Sequence, residues 1–265
     1  MEIYQKLLGV YKEIMGVYKE IIFKEQRVRI FRFKEIDSTN KFLKEIKEKN
    51  DFDIAIAEVQ TSGKGRRGNK WCSEKGGAYF SFLLKEDRNI AFEEYTKLPL
   101  VTGYSLMKTL EKIEPFLNFK FKWTNDIYEN DKKISGILVE KIGDYFIIGI
   151  GINLNNEIKG EARNTAISIG KITLKEYNVE EIIIAAVENF KKDLAFYFNG
   201  NWEKMLDELN AKNYLYGKNI EISFENGNIE EGIALNIHKS GQLMVKTGDR
   251  EKFFNIGEIH ISKNN

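Results

Sequence analysis

The chain has 265 residues, 42% hydrophobic and 31% charged, enough for one large domain or two modest ones whose core needs no covalent staple. A single cysteine, Cys72, and two histidines, His238 and His260, exclude a disulfide framework, a four-cysteine zinc site and any His/Cys metal cluster. Lys+Arg of 41 against Asp+Glu of 40 leaves a net charge of +1, which argues against a surface built as a whole for nucleic acid or anionic lipid, so strong anion binding must be local. No apolar run approaches the roughly 18 residues of a membrane span and no secretion signal is present, which predicts a cytoplasmic protein with no membrane contact.

In chain order, residues 4–24 carry a short repeat, YQKLLGV, YKEIMGV and YKEIIFK. Its spacing puts Tyr4/Tyr11/Tyr18, Leu7/Ile14/Ile21 and Leu8/Met15/Ile22 on one helical face and predicts an N-terminal amphipathic helix over 1–26. A helix docked on its own domain is favoured over an oligomerisation seam that would make a homodimer, because Gly9 and Gly16 each cost about 1 kcal/mol of helix stability. RVRIFRF (27–33) alternates as a half-buried strand. Asp37-Ser38-Thr39-Asn40 then offers N-cap chemistry to a helix with Phe42, Leu43 and Ile46 on its apolar side. Strands follow at 53–59 and 78–84, a helix around 95–113, and a strand at 119–123. The runs 134–142 and 145–154 read as a hairpin turning at Gly143-Asp144. An irregular stretch over 155–178 precedes two amphipathic helices, VEEIIIAAVENFKKDLAFYF and NWEKMLDEL. From Tyr216 the texture changes to short alternating strands (IEISF, IALNI, LMVKT, IHIS) separated by glycine turns, the pattern of a small all-β barrel. This predicts a domain boundary near Leu215, with domains over 27–215 and 216–265.

Three segments carry chemistry. In QTSGKGRRGNKW (60–71), Lys64, Arg66, Arg67 and Lys70 stand among Gly63, Gly65 and Gly68 with no acid. Glycines let the backbone approach a ligand, and guanidinium groups bind carboxylate or phosphate oxygens bidentately, so the loop suits an anion. The spacing is neither a Walker A loop nor a Rossmann fingerprint. On composition alone a solvated basic loop, or an RGG-like contact for single-stranded nucleic acid, explains it equally well. In KWTND (122–126), Asn125 and Asp126 sit just beyond a strand, where a carboxylate beside phosphates is a reasonable Mg2+ ligand; a solvated hairpin flank is the plainer reading. Lys133, at the start of the next strand, could neutralise charge building between an attacking carboxylate and a phosphate, although a lone strand lysine is usually only solvated. GIGIN (149–153) places Gly149 and Gly151 inside an apolar strand, which suggests close approach of a ligand or of another backbone on one face, or else a bulge.

These segments, in this order and with Asp37-Ser38-Thr39-Asn40 upstream, resemble the biotin-protein ligases (biotin-[acetyl-CoA-carboxylase] ligases) over roughly residues 30–262, through GKGRRG, KWTND, KxSGILVE and GIGIN. The resemblance implies an α+β fold: a mixed-sheet catalytic domain followed by a small SH3-like β barrel. It implies a two-step reaction in which biotin and ATP give biotinyl-5'-AMP, and a lysine of a biotin carboxyl carrier protein then takes the biotin. ATP and Mg2+ are the implied cofactors. Carried onto this sequence, it puts Ser38, Thr39, Asn40 and Gln60 at the biotin head group, and Lys64, Gly65 and Arg66 in a loop covering biotin and the adenylate. Arg66 would hold the acyl phosphate and Lys133 would be the essential cation. Arg67, Trp71, Asn125 and Asn153 would line the nucleotide region, with Trp71 against the adenine and Asp126 at the metal. Gly136, Gly149 and Gly151 would be points where ligand passes close to backbone.

Some positions depart from the family pattern. Thr124 stands where proline is usual and should relax the loop. Lys64 replaces an arginine and loses its bidentate fork. Ser262 stands where some members present an arginine to the nucleotide, although the preceding Gly257-Glu258-Ile259 matches. The short segment before the first strand implies the monofunctional type without a DNA-binding domain, hence no operator binding. A lipoate-type acyl-protein ligase of the same superfamily is the nearest alternative. A non-enzymatic nucleic-acid-binding module is a remote one, disfavoured by the near-zero net charge and the few aromatics around the loop.

Overall fold

The computed structural model of the chain describes residues 19–23, 26–224, 227–255 and 258–261. In chain order the strands are β1 (Lys19–Phe23), β2 (Gln26–Ile36), β3 (Ile54–Gln60), β4 (Ala78–Lys85), β5 (Lys120–Lys122), β6 (Asp126–Glu129), β7 (Lys132–Ile142), β8 (Tyr145–Ile152), β9 (Asn219–Ser223), β10 (Ile229–Ile237), β11 (Leu243–Thr247), β12 (Arg250–Phe254) and β13 (Glu258–Ile261). The helices are α1 (Thr39–Glu45), α2 (Phe92–Tyr95), α3 (Leu98–Ile113), α4 (Ile169–Thr173), α5 (Val179–Phe198) and α6 (Trp202–Ala211). The described residues form two compact units, one from those up to residue 90 together with 131–187, the other from 91–130 together with those from 188 onward.

In the first unit the strand order is β1-β2-β3-β4-β8-β7. β2 and β3 run parallel and the other neighbours antiparallel. A parallel pair needs a crossover, and the segment carrying α1 supplies it. Cross-strand partners share a face, so the register Ala55↔Ser81↔Gly149↔Leu138 and Tyr79↔Gly151↔Gly136 defines one side of the sheet. Along the part of that side under α1 the residues are apolar: Phe33, Ala55, Ala57, Leu83 and Ile147 pack with Phe42 and Leu43 of the helix. Phe42 meets Phe31 and Phe33 edge to face, with ring centroids 5.0 and 4.8 Å apart. Further along, Ser81, Gly149, Gly151 and Gly136 lie on the same side, with Tyr79 and Leu138 beside them.

The second unit combines α2, α3 and α6 with the β5–β6 hairpin and a five-stranded antiparallel sheet ordered β12-β11-β10-β9-β13. Asn210 fastens α6 to β10, its Nδ2 donating to the Ile237 carbonyl at 3.0 Å and its Oδ1 accepting from the Ile237 N–H at 2.7 Å. The Trp123 indole N–H donates to the Gly241 carbonyl at 2.9 Å. The mixed α+β architecture with a small C-terminal β barrel is the one expected.

The structure corrects several local expectations. Lys19–Phe23, the third copy of the heptad-like repeat, is a strand paired with Gln26–Ile30 and not part of a helix. Its Ile21-Ile22-Phe23 run is β-branched and aromatic, and a free sheet edge outweighs a helical period in so short a copy. The first two copies lie outside the described residues, as does Ser262. The single helix expected near 95–113 is preceded by a separate turn of helix, Phe92–Tyr95. The irregular stretch contains α4, and the barrel has a strand, β12, that its charged REKFF sequence hides.

Asp53 is fully buried and receives Arg29 Nε on both oxygens at 3.1 Å, Arg29 Nη2 on Oδ2, and the Asn50 N–H at 2.9 Å. Removing one member of such a pair leaves an uncompensated charge. Asp53→Ala should therefore lower unfolding stability by about 3 kcal/mol in a denaturant titration, far more than exposed pairs such as Lys75–Glu58.

Candidate active site

α1 begins where β2 ends. Ser38 is its N-cap, with extended backbone (φ −161°, ψ 131°) and its hydroxyl accepting from the Lys41 N–H at 3.4 Å. The Lys41 ammonium, hydrogen-bonded to Asp37 at 2.6 Å, holds the Asp37 carboxyl below its ordinary range. This cap aims Thr39 and Asn40 down onto the sheet, where both are buried.

There they join a polar network in otherwise apolar surroundings. The Thr39 N–H donates to Gln60 Oε1 at 2.9 Å, and the Thr39 and Ser81 hydroxyls lie 2.6 Å apart. Ser81 Oγ donates to Asn40 Oδ1 at 2.5 Å, and Asn40 Nδ2 donates to Glu140 Oε2 at 2.8 Å. On the other flank Gln60 Nε2 donates to Ser73 Oγ at 3.0 Å. Buried polar groups need such partners, because each one left unmade costs about 1–3 kcal/mol.

Glycine lets this network approach the strands. A Cβ on Gly149 would lie 2.1 Å from Asn40 Oδ1, and one on Gly151 would lie 2.4 Å from Cε2 and Nε1 of Trp71. At Gly136, the cross-strand partner of Gly151, a Cβ would meet Trp71 Cζ3 at 2.8 Å and Lys133 Cε at 3.2 Å. The three glycines thus form a flat shelf on which Asn40 and Trp71 rest. The Trp71 indole N–H is buried and has no hydrogen-bond partner among the described residues. Lys133 Nζ stands 5.2 Å from the Trp71 ring centroid, within cation–π range.

The loop between β3 and β4 folds back on itself. Trp71 N–H donates to the Gly63 carbonyl at 2.9 Å and Gly65 N–H to the Asn69 carbonyl at 2.6 Å, with a Lys64–Lys70 bridge between them. Its tip is one 3-10 turn, Arg66–Gly68, with Arg67 and Gly68 at φ +53° and +77°. Lys64 and Lys70 are exposed, and Arg66 and Arg67 are half-buried. Lys133 is held through its backbone: its N–H donates to Thr165 O at 2.8 Å, and its carbonyl accepts from the Ile167 N–H at 3.1 Å and Asn153 Nδ2 at 3.4 Å. Asn156 in turn donates to Asn153 Oδ1 at 3.1 Å.

Within the first unit, then, Thr39, Asn40, Gln60, Trp71, Lys133, Gly136, Gly149, Gly151 and Asn153 form one connected set, with Ser38 at the cap and Lys64 to Arg67 in the adjoining loop. Asn125 and Asp126 belong to the second unit, both half-buried, at the turn into β6. There burial, and after it the Asp126 charge, pushes the Tyr128 hydroxyl pKa up. The Trp123–Thr124 peptide is cis. Sequence reasoning missed Ser81, Ser73 and Glu140. A lone serine in the apolar strand AYFSFLL was the available signal for the first.

A profile of the Biotin/lipoate A/B protein ligase family matches residues 32–155, a span holding the shelf, the network and the basic loop. The bifunctional ligase/repressor BirA of Escherichia coli K12 is 31% identical over 242 residues, 85% of this chain and 72% of its own length. The chain belongs to the biotin-protein ligase family. It is an enzyme of the ligase class. Another relative, the biotin--[acetyl-CoA-carboxylase] ligase of Mycobacterium tuberculosis, is 21% identical over 208 residues, 78% of this chain and 77% of its own. Among solved structures, the biotin protein ligase from Aquifex aeolicus in complex with biotin and ATP superposes with a TM-score of 0.79 at 32% identity, covering 88% of this chain and 98% of that one. No helix among the described residues is long and apolar enough to cross a membrane.

Two outcomes follow from the geometry. Gly151→Ala should drive the indole off the shelf and shift Trp71 emission to the red, read as the spectral difference between G151A and a W71F/G151A double variant. Because the folded pKa of Asp37 is depressed, its contribution to stability is present above the ordinary carboxyl value and lost as pH falls through the folded one. Asp37→Asn should therefore flatten the stability curve below about pH 4 in acid titrations.

Proposed function

We propose that the chain is an ATP-dependent biotin-protein ligase that forms biotinyl-5'-AMP and transfers biotin to a lysine of a biotin carboxyl carrier protein. The observation that carries this reading is the network of Gln60 with buried Thr39, Ser81 and Asn40 on a glycine shelf, next to a lysine and a basic loop, in a member of this family. A ureido ring has one C=O and two N–H groups, and hydroxyl and amide partners satisfy them where an apolar wall could not. The catalytic domain spans 27–215 and the SH3-like barrel 216–265.

In the first step a biotin carboxylate oxygen bonds to the α-phosphorus of ATP, the bond to the β,γ-phosphates breaks, and pyrophosphate leaves. An anion approaches an anion, so cations lower the barrier by neutralising charge that builds in the transition state. Lys133, its backbone clamped on both sides, carries an ammonium to that point. Arg66 holds the acyl phosphate, and Arg67 and Asn153 line the nucleotide with Trp71 against the adenine. Lys64 and Gly65, in the loop over the intermediate, help to keep water from the mixed anhydride.

Mg2+ prefers one or two carboxylates together with phosphate oxygens over an all-protein cage. Among the described residues no group of three His, Cys, Asp or Glu could hold a metal alone. An ion carried mainly by the nucleotide would neutralise phosphate charge; Asp126, the carboxylate that the family resemblance offers for it, stands in the second unit. In the second step the carrier lysine amine attacks the acyl carbon, an amide forms, AMP leaves with the bonding electron pair, and the amine gives up a proton.

Pyrophosphate exchange into ATP, with biotin, lipoate or octanoate as the added acid, tests the reading. Exchange should depend on biotin; dependence on lipoate with indifference to biotin would overturn it. Lys133→Ala should slow adenylate formation by roughly tenfold or more, about 1.4 kcal/mol of transition-state stabilisation. Near-normal rates in that variant would remove Lys133 from its role.

A further inference from the structure

Glu140 lies on β7, on the same side of the sheet as Gly136 and Leu138, opposite Ile147 of β8. It is half-buried and its Oε2 takes the Asn40 Nδ2–H at 2.8 Å. Neither step of the reaction uses Glu140 directly. We propose that Glu140 is a positioning residue that sets the direction of the Asn40 amide and of the Ser81 and Thr39 hydroxyl protons, and so makes the site accept N–H groups from the ligand. The proposal rests on the biotin reading of the same site.

An asparagine amide can present either its oxygen or its nitrogen to a neighbour with little change in shape. An ionised carboxylate can only accept, so beside Glu140 the Asn40 nitrogen must face β7 and the Asn40 oxygen must face Ser81. Ser81 has one hydroxyl proton, and it is thereby committed to Asn40 at 2.5 Å. The 2.6 Å contact between the Ser81 and Thr39 hydroxyls then requires Thr39 as donor. The Thr39 hydroxyl also lies 3.1 Å from Gln60 Oε1, but that oxygen already receives the Thr39 backbone N–H at 2.9 Å, so the hydroxyl proton can serve the shorter 2.6 Å contact to Ser81.

Protons therefore run one way, from Thr39 to Ser81 to Asn40 to Glu140, and end on an anion. Hydroxyl oxygens whose protons are directed inward keep lone pairs for a ligand. A ureido ring, with two N–H donors, meets acceptors, whereas an apolar acyl chain would leave those lone pairs unsatisfied at a cost. Replacing the carboxylate by an amide removes the constraint, since glutamine can donate as well as accept, and the chain of protons can then reverse.

The test measures KM for biotin and for ATP in pyrophosphate exchange by the full chain, its Glu140→Gln variant and its Glu140→Asp variant. E140Q should raise KM for biotin roughly tenfold, the equivalent of one misdirected hydrogen bond, with kcat changed less and KM for ATP within about twofold. E140D, which remains acceptor-only, should recover part of the loss. A loss confined to a lower melting temperature, with equal falls for both substrates and no recovery in E140D, would overturn the positioning role, as would an E140Q variant whose KM for biotin matches the unaltered chain. If the unaltered chain shows no biotin-dependent exchange, the biotin reading fails and the role of Glu140 fails with it; biotin-dependent exchange with an indifferent E140Q sinks the Glu140 proposal alone.

Discussion

The absence of a Cβ at Gly149 and Gly151 is the constraint on which the site depends. Each of the two would otherwise hold an atom within 2.4 Å of Asn40 or Trp71, closer than any van der Waals contact, so neither side chain could rest on the sheet. Glycine inside a strand weakens it by about 0.5–1 kcal/mol relative to alanine. The cost is offset by the neighbours: Ile147, Ile148, Ile150 and Ile152 of the same strand are all buried, and β8 is flanked on both sides by long antiparallel partners. A stiff, centrally placed strand can carry glycines that an edge strand could not.

The same side of the sheet is graded along its length. Under α1 it presents Phe33, Ala55, Ala57, Leu83 and Ile147, and the helix closes over it through Phe42 and Leu43. Past that point Ser81 replaces a large residue and the glycines begin. α1 therefore does two jobs with adjacent residues. Phe42 and Leu43 anchor it, and that anchoring fixes Thr39 and Asn40 over the part of the sheet that carries polar chemistry. Polar side chains placed by a packed helix are pre-organised, which is what a site needs to recognise a ligand without reordering itself.

Much of this was legible in the sequence, and the rest was not for physical reasons. The cap at Ser38, the strands flanking the basic loop and the hairpin at Gly143-Asp144 depend on local chemistry, and local chemistry is what a sequence pattern reports. The alternation in GIGIN announced close approach to a strand. What it could not reveal was that the approaching groups include the chain's own Asn40 and Trp71, because strand register decides that. Ser81 and Glu140 were missed for the same reason: one lies 41 residues from Asn40 and the other 100, and only the pairing of β4, β8 and β7 brings them together. The Lys19–Phe23 strand went the other way, where the third copy of a heptad-like spacing yielded to β-branched and aromatic residues at a sheet edge.

If the shelf and its polar network hold biotin while the adjoining cations activate it, the chain should retain the activated acid when no acceptor protein is present. The most direct measurement is mass spectrometry of the small molecule released by denaturing the chain after incubation with biotin, ATP and Mg2+ and passage through a desalting column. Biotinyl-5'-AMP in a ratio near one per chain is the expected result. Recovery of unchanged biotin alone, or an adenylate formed from lipoate but not from biotin, would contradict the assignment of this site to biotin activation.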